Sequence, residues 1–428
     1  MSSPLRLGIA GLGTVGVGTV RIVQNQAELL KARTGREIAI SAVTARSREL
    51  DRGIRIADYD WADDPVALAS RDDVDVFVEL IGGAEGVARR AIDAAIAAGK
   101  HVVTANKALL AVHGQALGEA AEKAGVSIRY EAAVAGGIPC IKALSEGLAG
   151  NEITRVMGVM NGTCNYILTR MQSASLDYQT VFSECEQLGY LEADPSLDVG
   201  GIDAGHKLAI LVALAFGTRV SFDAVHIEGI ERISIEDIEQ AADMGFRIKL
   251  LGVAQRTGSG IEARMSPCLV PADSPLGQLE GASNMIVLEG DSVGQVALQG
   301  AGAGEGPTAS AIIGDVCDLA RGSARPVFGK PAGQLAVAVR TNGVAPAAYY
   351  LRMQLVDRPG ALAKIAAVLG DAGISINRMR QYRHTDATAP VLIVTHEAQQ
   401  EALDTAIANM DGTGVLASSP VAIRIEKV

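Results

Sequence analysis

The residues from Glu192 to Lys207 gather carboxylates ahead of a lysine: Glu192, Asp194, Asp198 and Asp203 precede Lys207 within GYLEADPSLDVGGIDAGHK. Asp203 and Lys207 are four apart, so on a helix they share one face. The apolar run Leu208 to Phe216 follows directly, which sets this charged turn at the mouth of something buried. Acids there can hold a substrate ammonium, and a lysine against carboxylates can hold or move a proton. The same spacing also suits an aspartate at a helix start with a solvated i,i+4 partner. His206 adjoins Lys207, but adjacent helix residues point apart, and His206 reads as structural. A second charged pair, Asn106-Lys107, follows the strand-like His101 to Thr104. Open α/β sheets bind ligands off that strand edge, although a lysine in a first helical turn also faces water readily.

Near the N-terminus, Gly11-Leu12-Gly13-Thr14-Val15-Gly16 is a G-x-G-x-x-G between a short apolar run and a helical stretch. The first glycine permits the tight turn, the second lets a pyrophosphate approach, and the third lets helix and strand pack. The helix start offers free amides and a positive dipole end. The second strand ends in Thr44-Ala45-Arg46-Ser47, where an NAD site usually offers an acid to the ribose hydroxyl. Arg46, with Arg48 close by, better suits the 2′-phosphate of NADP, so NADP is favoured over NAD.

These residues need elements to hold them. Apolar runs at Leu5 to Ala10, Ile38 to Val43, Val74 to Leu80 and His101 to Thr104 alternate with helical sequence, including Thr14 to Arg33 and Val87 to Ala98. That alternation predicts a parallel α/β sheet of the Rossmann type over residues 1–135. From 136 to 306, helices near 165–172, 178–188 and 203–216 precede strands near 250–255, 261–270, 285–288 and 296–299, an α+β domain for substrate and dimerisation. Pro307 opens a helix to about Arg321, expected to pack back on the first domain. Pro and Gly recur through 322–348, a linker pattern. Residues 349–428 read βαββαβ, the ferredoxin-like order.

The ordered set GLGTVG, TANK (104–107), YEAAVAGGIP (130–139), NGTCNYIL (161–168), GYLEADPSLDVGGIDAGHK (189–207) and GAGEGPTASA (302–311) resembles homoserine dehydrogenase over residues 1 to about 325. The tail resembles an ACT domain through DRPGALAKIAAVLGDAGISI. The resemblance implies NAD(P)-linked interconversion of L-aspartate 4-semialdehyde and L-homoserine, in threonine, methionine and isoleucine biosynthesis. It puts Lys107 and Lys207 at the reacting centre with Asp203, and Lys207 as the proton donor. Glu192 and Asp203 would hold the substrate with Asp198 in support, and Lys107 beside them. Thr14, Val15, Arg46, Thr104, Lys107 and Gly306 would lie along the cofactor. Glu131 and the carbonyls of Val134, Gly136 and Ile138 would match a monovalent-cation (Na+ or K+) site, with the oxygen ligands a hard ion prefers. The ACT tail implies an amino-acid effector, with threonine suspected, bound near Asp357-Arg358-Pro359-Gly360. The open edges of its sheet imply a homo-oligomer, at least a dimer. One departure is Glu305 in Gly304-Glu305-Gly306, an acid that would repel a cofactor phosphate.

Composition narrows the field. A formal net charge of -11 and 4% aromatics argue against a nucleic-acid surface. The longest apolar run is about half of what a bilayer requires, so no membrane role is expected. Five widely spaced cysteines without C-x-x-C, and no visible signal peptide, suit reduced thiols in the cytoplasm. Cys140 lies in an apolar context that favours packing over nucleophilic catalysis. The alternatives are another nicotinamide-linked dehydrogenase of small amino or hydroxy acids, or a non-enzymatic NADP and amino-acid sensor. A pure sensor has no need of a proton-handling lysine.

Overall fold

The computed structural model describes residues 3–188, 191, 194–339, 344–382 and 388–428. The first lobe runs β1 (Leu5–Ala10), α1 (Thr14–Asn25), α2 (Ala27–Thr34), β2 (Ile38–Thr44), β3 (Asp60–Trp61), α3 (Pro65–Ala69), β4 (Val76–Glu79), α4 (Val87–Ala97), β5 (His101–Thr104), α5 (Lys107–Ala124) and β6 (Ile128–Arg129). Its strands are parallel in the order β3-β2-β1-β4-β5-β6. Helices cover both faces, so β4 is buried along its whole length and reads as a continuous run without alternation. The order reverses between β1 and β4, which opens a crevice off their C-terminal ends. The single helix expected from Thr14 to Arg33 is two helices. Gln26 leaves the helical region (φ -123°, ψ 22°), and α2 turns to bury Leu30.

The second lobe contains α6 (Cys140–Lys142), β7 (Ile153–Val159), α7 (Gly162–Ala174), α8 (Tyr178–Gln187), α9 (Pro195–Val199), α10 (Ile202–Phe216), β8 (His226–Ile227), α11 (Ile235–Asp243), β9 (Phe246–Thr257), β10 (Gly260–Pro271), β11 (Ser283–Gly290) and β12 (Gly294–Ala301). Then α12 (Glu305–Ala320) returns to lie on α1 of the first lobe. The strand β7, absent from the sequence reading, is central to this lobe: it joins β11 to β9. The tail is β13 (Ala348–Val356), α13 (Ala361–Asp371), β14 (Ile376–Gln381), β15 (Thr388–Thr395), α14 (Gln400–Asp411) and β16 (Val421–Ile425).

The tail is not a detached module. Its sheet, β16-β13-β15-β14, continues the second lobe's sheet because β16 pairs in parallel with β10, Cys268 opposite Arg424 and Leu269 opposite Ile425. One of the two edges expected to be open is therefore taken within the chain. On the sheet face, Arg352 Nε meets Asp237 of α11 at 2.5 Å, and Arg380 and Tyr382 both reach Asp243. The stretch expected as a linker is packed through its described residues. Phe328 is buried against Tyr130, ring centroids 5.7 Å apart, and Arg219 N donates to Ala336 O at 2.8 Å. Through those described residues it is a strap touching both lobes.

Candidate active site

The glycine turn joins β1 to α1 at the crevice. Gly11 has φ +104°, and a Cβ there would overlap the Leu80 carbonyl just past β4. A Cβ on Gly16 would overlap the Gly11 carbonyl, so the helix can start this tightly only with glycine. Gly13 has nothing within 4 Å of its missing Cβ, and it begins α1 without a side-chain cap. The first-turn amides of Thr14 and Val15 thus face open space, as a phosphate site requires.

Arg46 is exposed just past β2, and Arg48 lies over Trp61, 5.9 Å from the ring centroid. Arg52, not singled out from sequence, fastens this corner: it donates to Leu12 O at 3.0 Å and Ser47 O at 2.6 Å. Glu305 does not present an unpaired charge to a phosphate. Arg21 of α1 holds it at 2.5 Å. Gly306 is exposed at the start of α12, while Gly304 and Thr308 line the cavity described below. Thr104 corrects the expectation of a cofactor contact. It is fully buried, donates to Glu79 Oε2 at 2.6 Å and accepts from Asn106 N at 3.0 Å. Its neighbour Ala105 reaches the cavity instead. Glu79, hidden inside an apolar run, also accepts from Ile81 N and Gly82 N at 2.8 and 2.9 Å, which shapes the loop after β4.

A cavity of about 640 Å³ lies between the lobes, with Val15, Ala105 and Gly304 on one side and Asp198, Asp203 and Lys207 on the other. Lys107 opens α5, whose N-cap is the Asn106 side chain accepting from Leu109 N at 3.1 Å. Lys107 Nζ lies 2.9 Å from Asp203 Oδ1, and Lys207 Nζ lies 2.7 Å from Asp203 Oδ2. Lys207 also donates to Met160 O at 2.9 Å. Asn161, which sequence reasoning quoted within NGTCNYIL without a role, ties the acids together. It caps α7 through Cys164 N at 2.8 Å and donates to Asp198 Oδ1 at 2.9 Å. Asn at a helix N-cap directly after a strand is the signal that could have found it. Burial alone would raise the Asp203 carboxyl, but the Lys207 and Lys107 ammoniums outweigh it and hold the group well below the usual range. Asp203 is therefore anionic at neutral pH. Glu192 lies outside the described residues.

The second group of predicted residues sits apart, around Glu131. Its carboxylate accepts from Ile141 N and Lys142 N at 2.8 and 2.9 Å, and its own amide donates to Asp315 Oδ2 at 2.8 Å. Burial, then Asp315, pushes the Glu131 carboxyl up to about 7. Val134 lines the main cavity, and Gly136 backs onto Gly302 of the cofactor-side loop. Ile138 N donates to Ala135 O at 3.0 Å within the same turn. Among the described residues no group of three or more His, Cys, Asp and Glu could hold a metal, so a cation here would depend on backbone oxygens. Cys140 is fully buried and its thiol is pushed well up by burial, which leaves no thiolate nucleophile. His206 packs on Phe222, ring centroids 4.3 Å apart.

Comparison with known proteins identifies the family. The family model of homoserine dehydrogenase matches residues 139–317, that of the homoserine dehydrogenase NAD-binding domain matches 11–131, and that of the ACT domain matches 349–412. Homoserine dehydrogenase of Neisseria gonorrhoeae is 43% identical over 433 residues, covering 99% of both chains. The chain belongs to the homoserine dehydrogenase family. The enzyme from Pseudomonas aeruginosa is 41% identical over 438 residues, again covering 99% of each. A solved homoserine dehydrogenase from Thiobacillus denitrificans superposes with TM-score 0.93 at 40% identity, covering 99% of both chains. A hyperthermophilic archaeal homoserine dehydrogenase in complex with NADPH matches 76% of this chain and 99% of its own, with TM-score 0.64 at 25% identity. As a homoserine dehydrogenase the chain is an oxidoreductase with a nicotinamide-cofactor domain, interconverting L-aspartate 4-semialdehyde and L-homoserine, and it carries an ACT domain. A non-enzymatic sensor and a dehydrogenase of another substrate are both set aside.

Proposed function

We propose that Lys207 moves the proton in this reaction and that Lys107, Asp203, Asp198 and Glu192 hold the substrate around it. The observation that carries this is Asp203 held by two lysines, Lys107 from the first lobe at 2.9 Å and Lys207 from its own helix at 2.7 Å. Nicotinamide, when bound, supplies the hydride. In reduction, negative charge would develop on the aldehyde oxygen. A nearby ammonium stabilises that charge, and Lys207 Nζ then gives the oxygen its proton. In oxidation, the hydroxyl proton returns to Lys207. Asp203, ionised at neutral pH, fixes the lysine in place, and Asn161 fixes Asp198. The test follows NADPH absorbance with aspartate semialdehyde in wild type and Lys207→Ala, alongside NADPH binding by fluorescence. Loss of turnover with binding kept supports the assignment.

The cofactor-binding residues are Gly11, Gly13, Thr14, Val15, Gly16 and Arg46, with Lys107, and with Gly306 at the head of α12. NADP is favoured over NAD because an exposed arginine, Arg46, stands two residues past β2 where an NAD site usually offers an acid. A monovalent cation fits beside Glu131, with the Val134, Gly136 and Ile138 carbonyls, since two buried acids raised by burial gain from a positive charge. The ACT domain takes an amino-acid effector, with threonine the first candidate, and the chain works in the cytoplasm as a homo-oligomer. Five buried, unpaired cysteines suit a reducing compartment, and no described helix is long and apolar enough to cross a membrane.

A further inference from the structure

A second cavity, of about 340 Å³, lies where the tail joins the second lobe. His226, Glu228 and Arg232, from β8 and the turn after it, form one wall. Leu403 and Asp404 of α14 and Arg424 of β16 form the other. Its buried base is pre-organised: Arg264 is held by Glu262 at 3.0 Å and by Glu426, and Arg424 reaches Glu426 at 2.7 Å and the Tyr349 hydroxyl at 3.3 Å. At the rim the situation differs. Glu228, Arg232 and Asp404 are exposed, and their side chains make no hydrogen bond or ion pair among the described residues. Tyr349 of the base and Asp404 of the rim line the same cavity.

We propose that this junction cavity binds a free α-amino acid. Arg232 and Arg424 meet its carboxylate, Glu228 and Asp404 meet its ammonium, and Leu403 and Ile423 take a short side chain. Both signs of charge facing one small space is the complement of a zwitterion. The proposal rests on the regulatory reading of the tail and gives it a place other than the turn at 357–360.

The location also supplies a route to the chemistry. β8 pairs with β10 through Arg264 opposite His226 and Met265 opposite Ile227. Side chains alternate along a strand, so His226 and Glu228 face the junction while Ile227 faces away. Ile227 lies on α10, where a Cβ on Gly205 would come within 2.7 Å of Ile227 Cδ1 and one on Gly201 within 3.4 Å of its Cγ2. Those two glycines flank Asp203. Farther along, Ile230 N donates to the carbonyl of Val199, next to Asp198, at 2.9 Å. An occupant that shifts β8 therefore moves both substrate carboxylates.

The experiment is calorimetry of the full chain with L-threonine, L-isoleucine and L-methionine as probes, with homoserine kinetics beside it. At least one probe should bind. Asp404→Asn and Arg232→Gln should each weaken that binding about tenfold or more, the scale of a lost charged hydrogen bond, with basal activity unchanged. Asp357→Ala should leave it intact. Ile227→Ala should still bind the probe but lose its effect on the KM for homoserine. Unchanged binding in both rim variants, or an equal loss in Asp357→Ala, overturns the junction site while the regulatory reading of the tail stands. If no probe binds the wild-type chain, both readings fall.

Discussion

Lys107 of the first lobe reaches Asp203 of the second at 2.9 Å, an ion pair across the cleft in which cofactor and substrate must meet. Lys207 completes the pair from the same helix as Asp203. The two lysines are not equivalent. The Lys207 side chain is 10% exposed and has a second anchor at Met160 O, while Lys107 is 31% exposed. Lys207→Ala should lower turnover by about 100-fold or more, the scale of a positioned proton-transfer group, with NADPH affinity preserved. Turnover close to wild type would remove Lys207 from the chemistry.

The cofactor corner separates two arginines. Arg46 is exposed beyond β2, whereas Arg52 is fastened to Leu12 O and Ser47 O. Arg46→Asp should weaken NADP far more than NAD, because the new acid repels a 2′-phosphate and suits a hydroxyl. Arg52→Ala should weaken both cofactors alike, since it loosens the glycine turn itself. Dissociation constants for the two cofactors, measured on both variants, check this. Equal losses in Arg46→Asp would mean that Arg46 does not meet the phosphate.

The buried acids make a pH prediction with a definite sign. The Glu131 carboxyl, raised by burial and then Asp315, titrates at about 7 in the folded chain, against roughly 4.3 when unfolded. A group with a raised folded value contributes stability below its unfolded value and loses it as pH rises through the folded one. Between about pH 4.3 and 7 this group should therefore cost the protein stability progressively. Glu131→Gln should flatten that part of the profile in thermal unfolding. Sodium or potassium should flatten it too in the wild type if a cation sits beside Glu131, and a profile indifferent to both salts would count against that site.

The parts of the site that were legible in sequence are those whose chemistry is local. The fingerprint at Gly11 to Gly16 depends on one turn, and β5 ends at Thr104 because the apolar run ends there. The pairing of Asp203 with Lys207 follows from helical spacing alone. What escaped is what distant segments do to one another. Thr104 resembles a cofactor contact until Glu79 is seen beneath it. Asn161 looks like a plain helix cap until Asp198 arrives from 37 residues away. The break at Gln26 leaves no proline or glycine to announce it, and β7 carries an arginine at 155 that suggests surface. Arg352 and Asp237 both read as solvated charges, yet they meet across 115 residues.

That last pairing, with Glu426, changes what removing the tail should do. From sequence, a chain ending near 340 looks complete for catalysis. In the structure Glu426 accepts Arg155 at 2.6 Å, and it also holds Arg264, whose side chain is 6% exposed. Ending the chain before β13 would strip β16 from β10, bare the face of α11, and take from the buried Arg264 one of its two carboxylate partners, Glu426. Breaking one partner of a buried ion pair costs about 3–5 kcal/mol because the remaining charge stays desolvated. Glu426→Ala should therefore lower stability by about that amount, while Glu397→Ala, at an exposed, solvent-screened pair with Lys427, should leave it nearly unchanged. The truncated chain should unfold at a lower temperature than either variant, or fail to accumulate as soluble protein. Denaturant unfolding of the two point variants, read against the truncation, decides the matter. A truncation as stable as the wild type would mean that the tail merely rests on the second lobe, and the shared sheet would lose its part in holding the catalytic half together.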